Sequence, residues 1–358
     1  MNIAVVIGTR PEIIKMSPII RELQRKNIPF YILHTGQHYS YNLDKIFFRQ
    51  LKLPEPKYNL EVGSGSHGEQ TAKILTGVEK ILQHDNTDIL LVEGDTNSVL
   101  AGALAAAKLH VKVGHIEAGL RSYDRNMPEE INRILVDHCS DYLFTPTEKA
   151  QNILLKEGIS PEKIFVTGNT IVDAVMQNRD LAHRQNDILK KLNIEPKKYL
   201  FVTLHRTENV DNKERLTSVL SGLSMVSEVL QLSLICPVHP HTRKRIEELN
   251  IAPAKLTLIE PVDYLSCIHL EDNARLILTD SGGIQEEACI LGTPCVTLRD
   301  NTERPETLEV GANMLAGVLP QKMLECSKIM VKKDNGWQNP FGNGTASEQI
   351  INILQSAV

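Results

Sequence analysis

Short, nearly unbroken apolar runs alternate along the chain with stretches in which apolar residues recur every three or four positions. Ile3 to Ile7, Phe30 to Leu33, Asp88 to Asp95, Val111 to Gly119, Tyr142 to Thr147 and Lys163 to Asn169 read as strands buried on both faces. Between them, EIIKMSPIIRELQRK, TAKILTGVEKIL, NSVLAGALAAAKL and PEEINRILVDHC read as amphipathic helices. This βαβα rhythm specifies a parallel sheet covered by helices on both faces. A polar helical stretch, DAVMQNRDLAHRQNDILKKLNIEPKK, follows, and the rhythm restarts near Tyr199 with KYLFVTLHR, LSLICPVHP, LTLIEP, ARLILTD and PCVTLRD. The expected fold class is α/β, with two doubly wound domains over residues 1–168 and 169–344 and a cleft at the carboxyl ends of their strands. GWQNPFGNG reads as a turn-rich crossover into a last helix, TASEQIINILQSAV.

A chain of 358 residues supports about two such domains, which excludes a small disulfide scaffold. Hydrophobic residues are 42% and charged residues 23%, which excludes disorder and a fibrous architecture. The net charge of -5 argues against a nucleic-acid partner, although a few placed cations can still bind an anionic small molecule. No run approaches the roughly 18 apolar residues of a membrane span. MNIAVVIG reads as a strand rather than a signal peptide, and six scattered cysteines without zinc spacing fit a reducing cytoplasm.

GSGSHG (Gly63, Gly65, Gly68) satisfies a dinucleotide fingerprint, but no buried strand precedes it, and it reads as a loop capping the next helix. The first strand instead exits into Gly8-Thr9-Arg10-Pro11-Glu12, where Arg10 and Lys15 can face an anion beside a helix N-terminus. The same two cations fit a solvated first turn equally well. Asp95 follows the strand DILLVEGD, where it serves either as a helix cap or as a working carboxylate. Glu117, in GHIEAGLR, and Glu130, at the start of PEEINR, bring two more acids to the same sheet edge. Three acids so placed form a proton-transfer constellation. In the second half, His205 ends a strand beside Arg206 and Glu208. Ser281-Gly282-Gly283 lies between a strand and a helix and suits a diphosphate. Glu287, one turn into that helix, suits a ribose diol, and Arg304 is either a further anion ligand or a solvated loop charge.

Together GTRPEIIKMSP, GDTNS, GHIEAGLRS, MPEEINR, HRTEN, TDSGGIQEEA, RPETLEVG and NPFGNG resemble the non-hydrolysing UDP-N-acetylglucosamine 2-epimerase family from Arg10 to Gly344. The resemblance implies that the two doubly wound domains are Rossmann-like and lie in a glycosyltransferase-B-type arrangement, with a last helix (345–358) returning to the N-terminal domain, and a homodimer. It implies interconversion of UDP-GlcNAc and UDP-ManNAc for cell-surface polysaccharide, with UDP as the leaving group and no cofactor or metal ligand. By the same resemblance Asp95, Glu117 and Glu130 carry the acid and base work, and His205 contacts UDP and takes part in catalysis. Arg10, Lys15 and Arg304 are cations toward the substrate. Ser281, Gly282 and Gly283 hold the diphosphate, and Glu287 holds the ribose. Gln37 and His38 match the region where bacterial members bind a second UDP-GlcNAc as an activator, with Ser40 standing where those members commonly carry Gln or Glu.

The chemistry explains the combination of acids and a diphosphate cradle. The proton on C2 of the sugar is not acidic enough for direct removal and return. Losing it together with the C1–O bond gives 2-acetamidoglucal and UDP, and re-addition with protonation from the other face inverts C2. One face needs a base and the other an acid. A UDP-sugar-dependent glycosyltransferase would use a similar cleft without that pair, and a nucleotide-sugar sensor would bind without turnover.

Overall fold

The apolar runs become parallel strands, and the residues between them become the helices that bury both sheet faces. The computed structural model describes residues 1–37, 41–185, 187–249 and 256–356. The chain divides into two compact units, Met1–Ala174 with Phe341–Val358, and Val175–Pro340.

Unit 1 opens with β1 (Ile3–Ile7), α1 (Arg10–Arg25), β2 (Phe30–His34), α2 (Tyr41–Gln50), β3 (Tyr58–Asn59) and α3 (His67–His84). It continues with β4 (Ile89–Glu93), α4 (Asn97–Lys108), β5 (Lys112–Ile116), α5 (Pro128–Cys139), β6 (Tyr142–Thr145), α6 (Glu148–Lys156) and β7 (Ile164–Val166). α7 (Thr170–Gln185) leads out of it. The sheet order is β3-β2-β1-β4-β5-β6-β7, and every pairing is parallel. Alanines of α4 let that helix lie close on the sheet, against Val6, Leu90, Val92 and Val113. On α1 the buried stripe is Ile13, Met16, Ile20 and Leu23.

Unit 2 carries α8 (Ile188–Lys191), β8 (Tyr199–Thr203), α9 (Thr207–Val210), α10 (Lys213–Leu230), β9 (Ser233–Pro237), α11 (Pro240–Glu248) and β10 (Leu256–Ile259). Then come α12 (Tyr264–Asn273), β11 (Leu276–Thr279), α13 (Gly282–Leu291), β12 (Cys295–Thr297), α14 (Pro305–Glu309), β13 (Asn313–Leu315) and α15 (Pro320–Met330). Its parallel sheet has the order β10-β9-β8-β11-β12-β13. Leu200, Val202, Leu220, Leu278, Val296 and Met323 form the core on one face. Tyr199, Phe201, Ile277 and Ala288 form it on the other.

The last helix, α16 (Ala346–Ser356), belongs to unit 1 and packs on α1. Asp173 caps it, accepting from Ala346 N at 3.2 Å, Ser347 N at 2.9 Å and Ser347 Oγ at 2.6 Å. The short strands β3 and β13 have no counterpart among the apolar runs of the sequence, because an edge strand of two or three residues carries too little pattern to see. GSGSHG does cap the next helix: Ser66 and Glu69 form a reciprocal capping box at the start of α3. Among the described residues no helix is long and apolar enough to cross a membrane.

In each sheet the chain order reverses once, between β1 and β4 in unit 1 and between β8 and β11 in unit 2. Open α/β sheets bind ligands beyond the carboxyl ends of strands at such a switch point. The loops that leave those four strands begin at Gly8, Gly94, Leu204 and Asp280.

Candidate active site

At the unit 1 switch point the chain turns from β1 into α1 through Gly8. A Cβ there would collide with the hydroxyl groups of Ser98 and Thr35, so only glycine fits. The buried Glu12, at the third position of α1, caps the helix by accepting from Gly8 N, Thr9 N and Thr96 Oγ1. Burial pushes its carboxyl up to about 7, against those hydrogen bonds. Because this pKa is raised on folding, Glu12 contributes stability in full below about 4.5 and loses it as pH rises through about 7. Thermal melts from pH 4 to 8 are expected to show Glu12→Gln gaining on wild type across that window, by on the order of 3 kcal/mol. A constant difference between the two proteins would refute the assignment.

Arg10 stacks its guanidinium over Phe47, 5.2 Å from the ring centre. Lys15, one turn and a half along α1, places Nζ 2.7 Å from both oxygens of Glu117 and 3.1 Å from Glu93 Oε1. Glu117 follows β5 in the left-handed region at φ 69°, a conformation that a non-glycine residue holds only when its surroundings impose it. Asn169 Nδ2 completes the grip by donating to Glu117 Oε1 at 2.8 Å.

Asp95 and Glu130 form a second group, joined by Arg133, a residue that motif spacing leaves without a role. Arg133 reaches Asp95 Oδ2 at 2.6 Å through Nη2 and Glu130 Oε2 at 2.9 Å through Nη1. Glu130 is buried and also accepts from Ser122 N, Ser122 Oγ and Tyr123 N, all at 2.9–3.0 Å. Burial raises its carboxyl, but these donors outweigh it and hold the pKa below the ordinary glutamate value. Behind them, Asp137 accepts from His115 Nδ1 and Arg121 Nη1, both at 2.7 Å, and from Gly119 N at 3.2 Å, which fixes the turn that carries Glu117. Gln37 is committed to the start of α4, its Oε1 accepting from Ser98 N at 3.0 Å and Ser98 Oγ at 2.6 Å. His38 and Ser40 lie outside the described residues.

At the unit 2 switch point the organising group is Asp280. It is fully buried and accepts from His205 N at 3.1 Å, Arg206 N at 3.1 Å and Asn209 Nδ2 at 3.2 Å, with His205 Nδ1 3.1 Å away. His205 is thus held by its backbone and its ring while the ring itself stays half exposed. Burial works against the Asp280 carboxylate, and the hydrogen bonds from His205 and Arg206 overcome it, so the pKa falls below the usual value. Ser281 caps α13 by accepting from Ile284 N, and Gly282 and Gly283 form its first turn. Among the described residues, a Cβ on Gly282 would meet nothing closer than Glu303 Oε2 at 3.9 Å, which leaves room for a ligand at the helix end. Glu303 is bound by Arg299 at 2.7 and 2.8 Å, and these bonds draw its pKa down to about 2. Arg304 pairs with Glu286 at 2.7 Å. Glu287, one turn into α13, interacts with Tyr264 and with the buried Glu271, to which Cys267 Sγ donates at 3.0 Å.

Each switch point therefore carries a distinct chemistry: acids and a lysine in unit 1, a helix N-terminus with arginines and a histidine in unit 2. A family model for UDP-N-acetylglucosamine 2-epimerase matches residues 21–355. A UDP-N-acetylglucosamine 2-epimerase of Methanocaldococcus jannaschii is 56% identical over 99% of both chains. The chain belongs to the UDP-N-acetylglucosamine 2-epimerase family. The crystal structure of the Methanocaldococcus jannaschii UDP-GlcNAc 2-epimerase in complex with UDP-GlcNAc and UDP matches with a TM-score of 0.87, over 99% of this chain and 100% of that one. A UDP-2,3-diacetamido-2,3-dideoxy-D-glucuronate 2-epimerase of Pseudomonas aeruginosa is 40% identical over 99% of both chains.

In this member of the 2-epimerase family, sequence reasoning passed over Glu93, Arg133, Asn169 and Asp280 as functional candidates. Two of them carried a visible signal. Glu93 is a carboxylate closing an otherwise apolar buried strand, and Asp280 is an acid between a buried strand and a glycine turn. Arg133 and Asn169 gave none toward Asp95 and Glu117, which lie 38 and 52 residues away.

Proposed function

We propose that this chain interconverts UDP-GlcNAc and UDP-ManNAc by eliminating UDP to 2-acetamidoglucal and adding it back. Membership of an epimerase family makes it an isomerase of a nucleotide sugar. The observation that carries the mechanism is the division of chemistry between the two switch points. In unit 2, the turn Ser281, Gly282 and Gly283 at the start of α13 receives the diphosphate, with Arg304 nearby. Glu287 takes the ribose hydroxyls, and His205, steadied by Asp280, contacts the leaving UDP. In unit 1, Lys15 and Arg10 offset the charge of the departing group, while Asp95, Glu117 and Glu130 serve proton removal and return at C2. The donors around Glu130 keep it ionised, which suits it to hold Arg133 and through it Asp95. We further propose a homodimer acting in the cytoplasm. Gln37 serves the start of α4, and an effector role for Gln37 and His38 rests on sequence resemblance alone.

In deuterated water, UDP-GlcNAc incubated with the protein and no acceptor is expected to gain deuterium at C2 and to yield UDP-ManNAc. Transfer of sugar to an acceptor with unlabelled substrate recovered would identify a glycosyltransferase. Binding without turnover would identify a sensor. The Pseudomonas aeruginosa relative makes its named diacetamido uronate an informative second substrate, since faster labelling of that compound would move the assignment.

A further inference from the structure

His115 stands in β5, just ahead of Glu117 in the chain, with its side chain only 1% exposed. Its Nδ1 lies 2.7 Å from Asp137 Oδ1, and its Nε2 lies 2.9 Å from Gly94 O. A carbonyl oxygen only accepts, so Nε2 carries a hydrogen. Asp137 is an acceptor as well. Burial works against its carboxylate, but His115 and Arg121 outweigh burial and hold its pKa below the ordinary aspartate value. Nδ1 therefore carries a hydrogen too, and the ring donates in both directions. Each of these bonds ends on a loop of the unit 1 site. Gly94 immediately precedes Asp95 and turns the chain at φ 84°, a conformation that favours glycine. β5 holds the Gly94 residue at both its backbone groups: Gly94 N donates to Ile116 O at 3.2 Å, and Gly94 O accepts from the ring. On the other side, Asp137 Oδ2 accepts from Gly119 N at 3.2 Å and from Arg121 Nη1 at 2.7 Å. Arg121 also donates to both oxygens of Glu157, at 2.9 and 2.6 Å, which anchors the turn to the end of α6. A Cβ on Gly94 would come within 4.0 Å of Glu117 Oε2, so the two loops joined through the ring meet beside that carboxylate.

We propose that His115 is a positioning residue: by donating from both ring nitrogens at once it fixes the loop of Asp95 against the turn of Glu117, and so sets the spacing of these two acids. The ring itself moves no proton. The proposal rests on the reading that Asp95 and Glu117 serve proton removal and return at C2. A neutral ring has one donor and one acceptor nitrogen, so it satisfies only one of the two loops. The double donation is what couples them.

Two substitutions cut one bond each. Asparagine sets its amide nitrogen near the place of Nδ1 and keeps the bond to Asp137, whereas glutamine reaches the place of Nε2 and keeps the bond to Gly94 O. His115→Asn and His115→Gln are each expected to lower kcat about a hundredfold, the scale of an ångström-sized misplacement of reacting groups. KM for UDP-GlcNAc and the calorimetric affinity for UDP should stay at wild-type values. Turnover is counted per UDP-binding site, so unfolded protein does not enter the rate. Wild-type kcat in either variant would overturn the proposal. So would a fall in UDP affinity that matches the fall in kcat, since that marks a residue supporting the fold alone. Nitrogen-15 spectra of histidine-labelled wild type, unliganded and at neutral pH, supply an arm that needs neither a variant nor turnover. Both ring nitrogens of His115 are expected to resonate as nitrogens that bear hydrogen, and a bare nitrogen on either side would refute the double donation. Both hydrogens in a wild type that leaves C2 unlabelled would support the tie and count against the proposed reaction, so the two readings fail separately.

Discussion

Glu117→Gln is expected to lower kcat by about 10²- to 10⁴-fold while leaving UDP binding unchanged. Glutamine fills the same space and tolerates the same left-handed backbone at φ 69°, so the turn after β5 survives. What disappears is a carboxyl that can change protonation state, and with it the match to Lys15 at 2.7 Å. Because the groups proposed to hold the diphosphate and ribose belong to Val175–Pro340, calorimetric titration with UDP should give the wild-type affinity. Deuterium uptake at C2 should fall by the same factor as kcat, since both depend on the one proton transfer. A variant within tenfold of wild type would remove Glu117 from the chemistry.

Asp280→Ala is expected to produce the largest loss of stability together with loss of UDP binding. The carboxylate is completely buried and serves the amides of His205 and Arg206 and the side chain of Asn209. Each buried donor left without a partner costs about 1–3 kcal/mol, so removing the acceptor should cost on the order of 3–5 kcal/mol. His205 also loses the carboxylate that orients its ring at 3.1 Å. Asp280→Asn separates the two effects. It keeps an oxygen toward the backbone amides, so melting should be lowered less, yet it lacks the charge that steadies His205, so UDP should still bind more weakly. The pKa of Asp280 is depressed on folding, so its contribution is present above the ordinary aspartate range and lost as pH falls through the lowered value. Melts of wild type and Asp280→Ala should converge in acid. Unchanged melting and UDP affinity in Asp280→Ala would exclude the role.

The parallel strands were legible because a strand covered on both faces leaves an unbroken apolar run, as in Ile3–Ile7 and Leu276–Thr279. The loops after those strands were legible for the same reason, which is how Arg10, Asp95, His205 and Ser281 could be named without coordinates. Their roles came from the resemblance of whole motifs, because one acid at a strand exit has the same composition whether it caps a helix or moves a proton. Distance in sequence hid the rest. Nothing near Arg133 announces that it ties Asp95 to Glu130, and nothing near Asn169 announces Glu117. Glu93 was hidden differently, inside a run whose apolar character drew attention away from its one carboxyl. Gln37 shows the opposite case: it falls in a motif tied by resemblance to an effector, yet its side-chain oxygen is bound to Ser98 at the start of α4.

The return of α16 onto α1 sets the order in which a ribosome can finish the molecule. Val175–Pro340 leaves the exit tunnel while unit 1 still lacks its last helix. At roughly 5–20 residues per second, the side of α1 that packs on α16 waits for tens of seconds or less before α16, with its buried Ile350, Ile351 and Leu354, is made. The first domain to be started is therefore the last to be completed. Through that interval the nascent chain displays an apolar helix face that a ribosome-associated chaperone could shield.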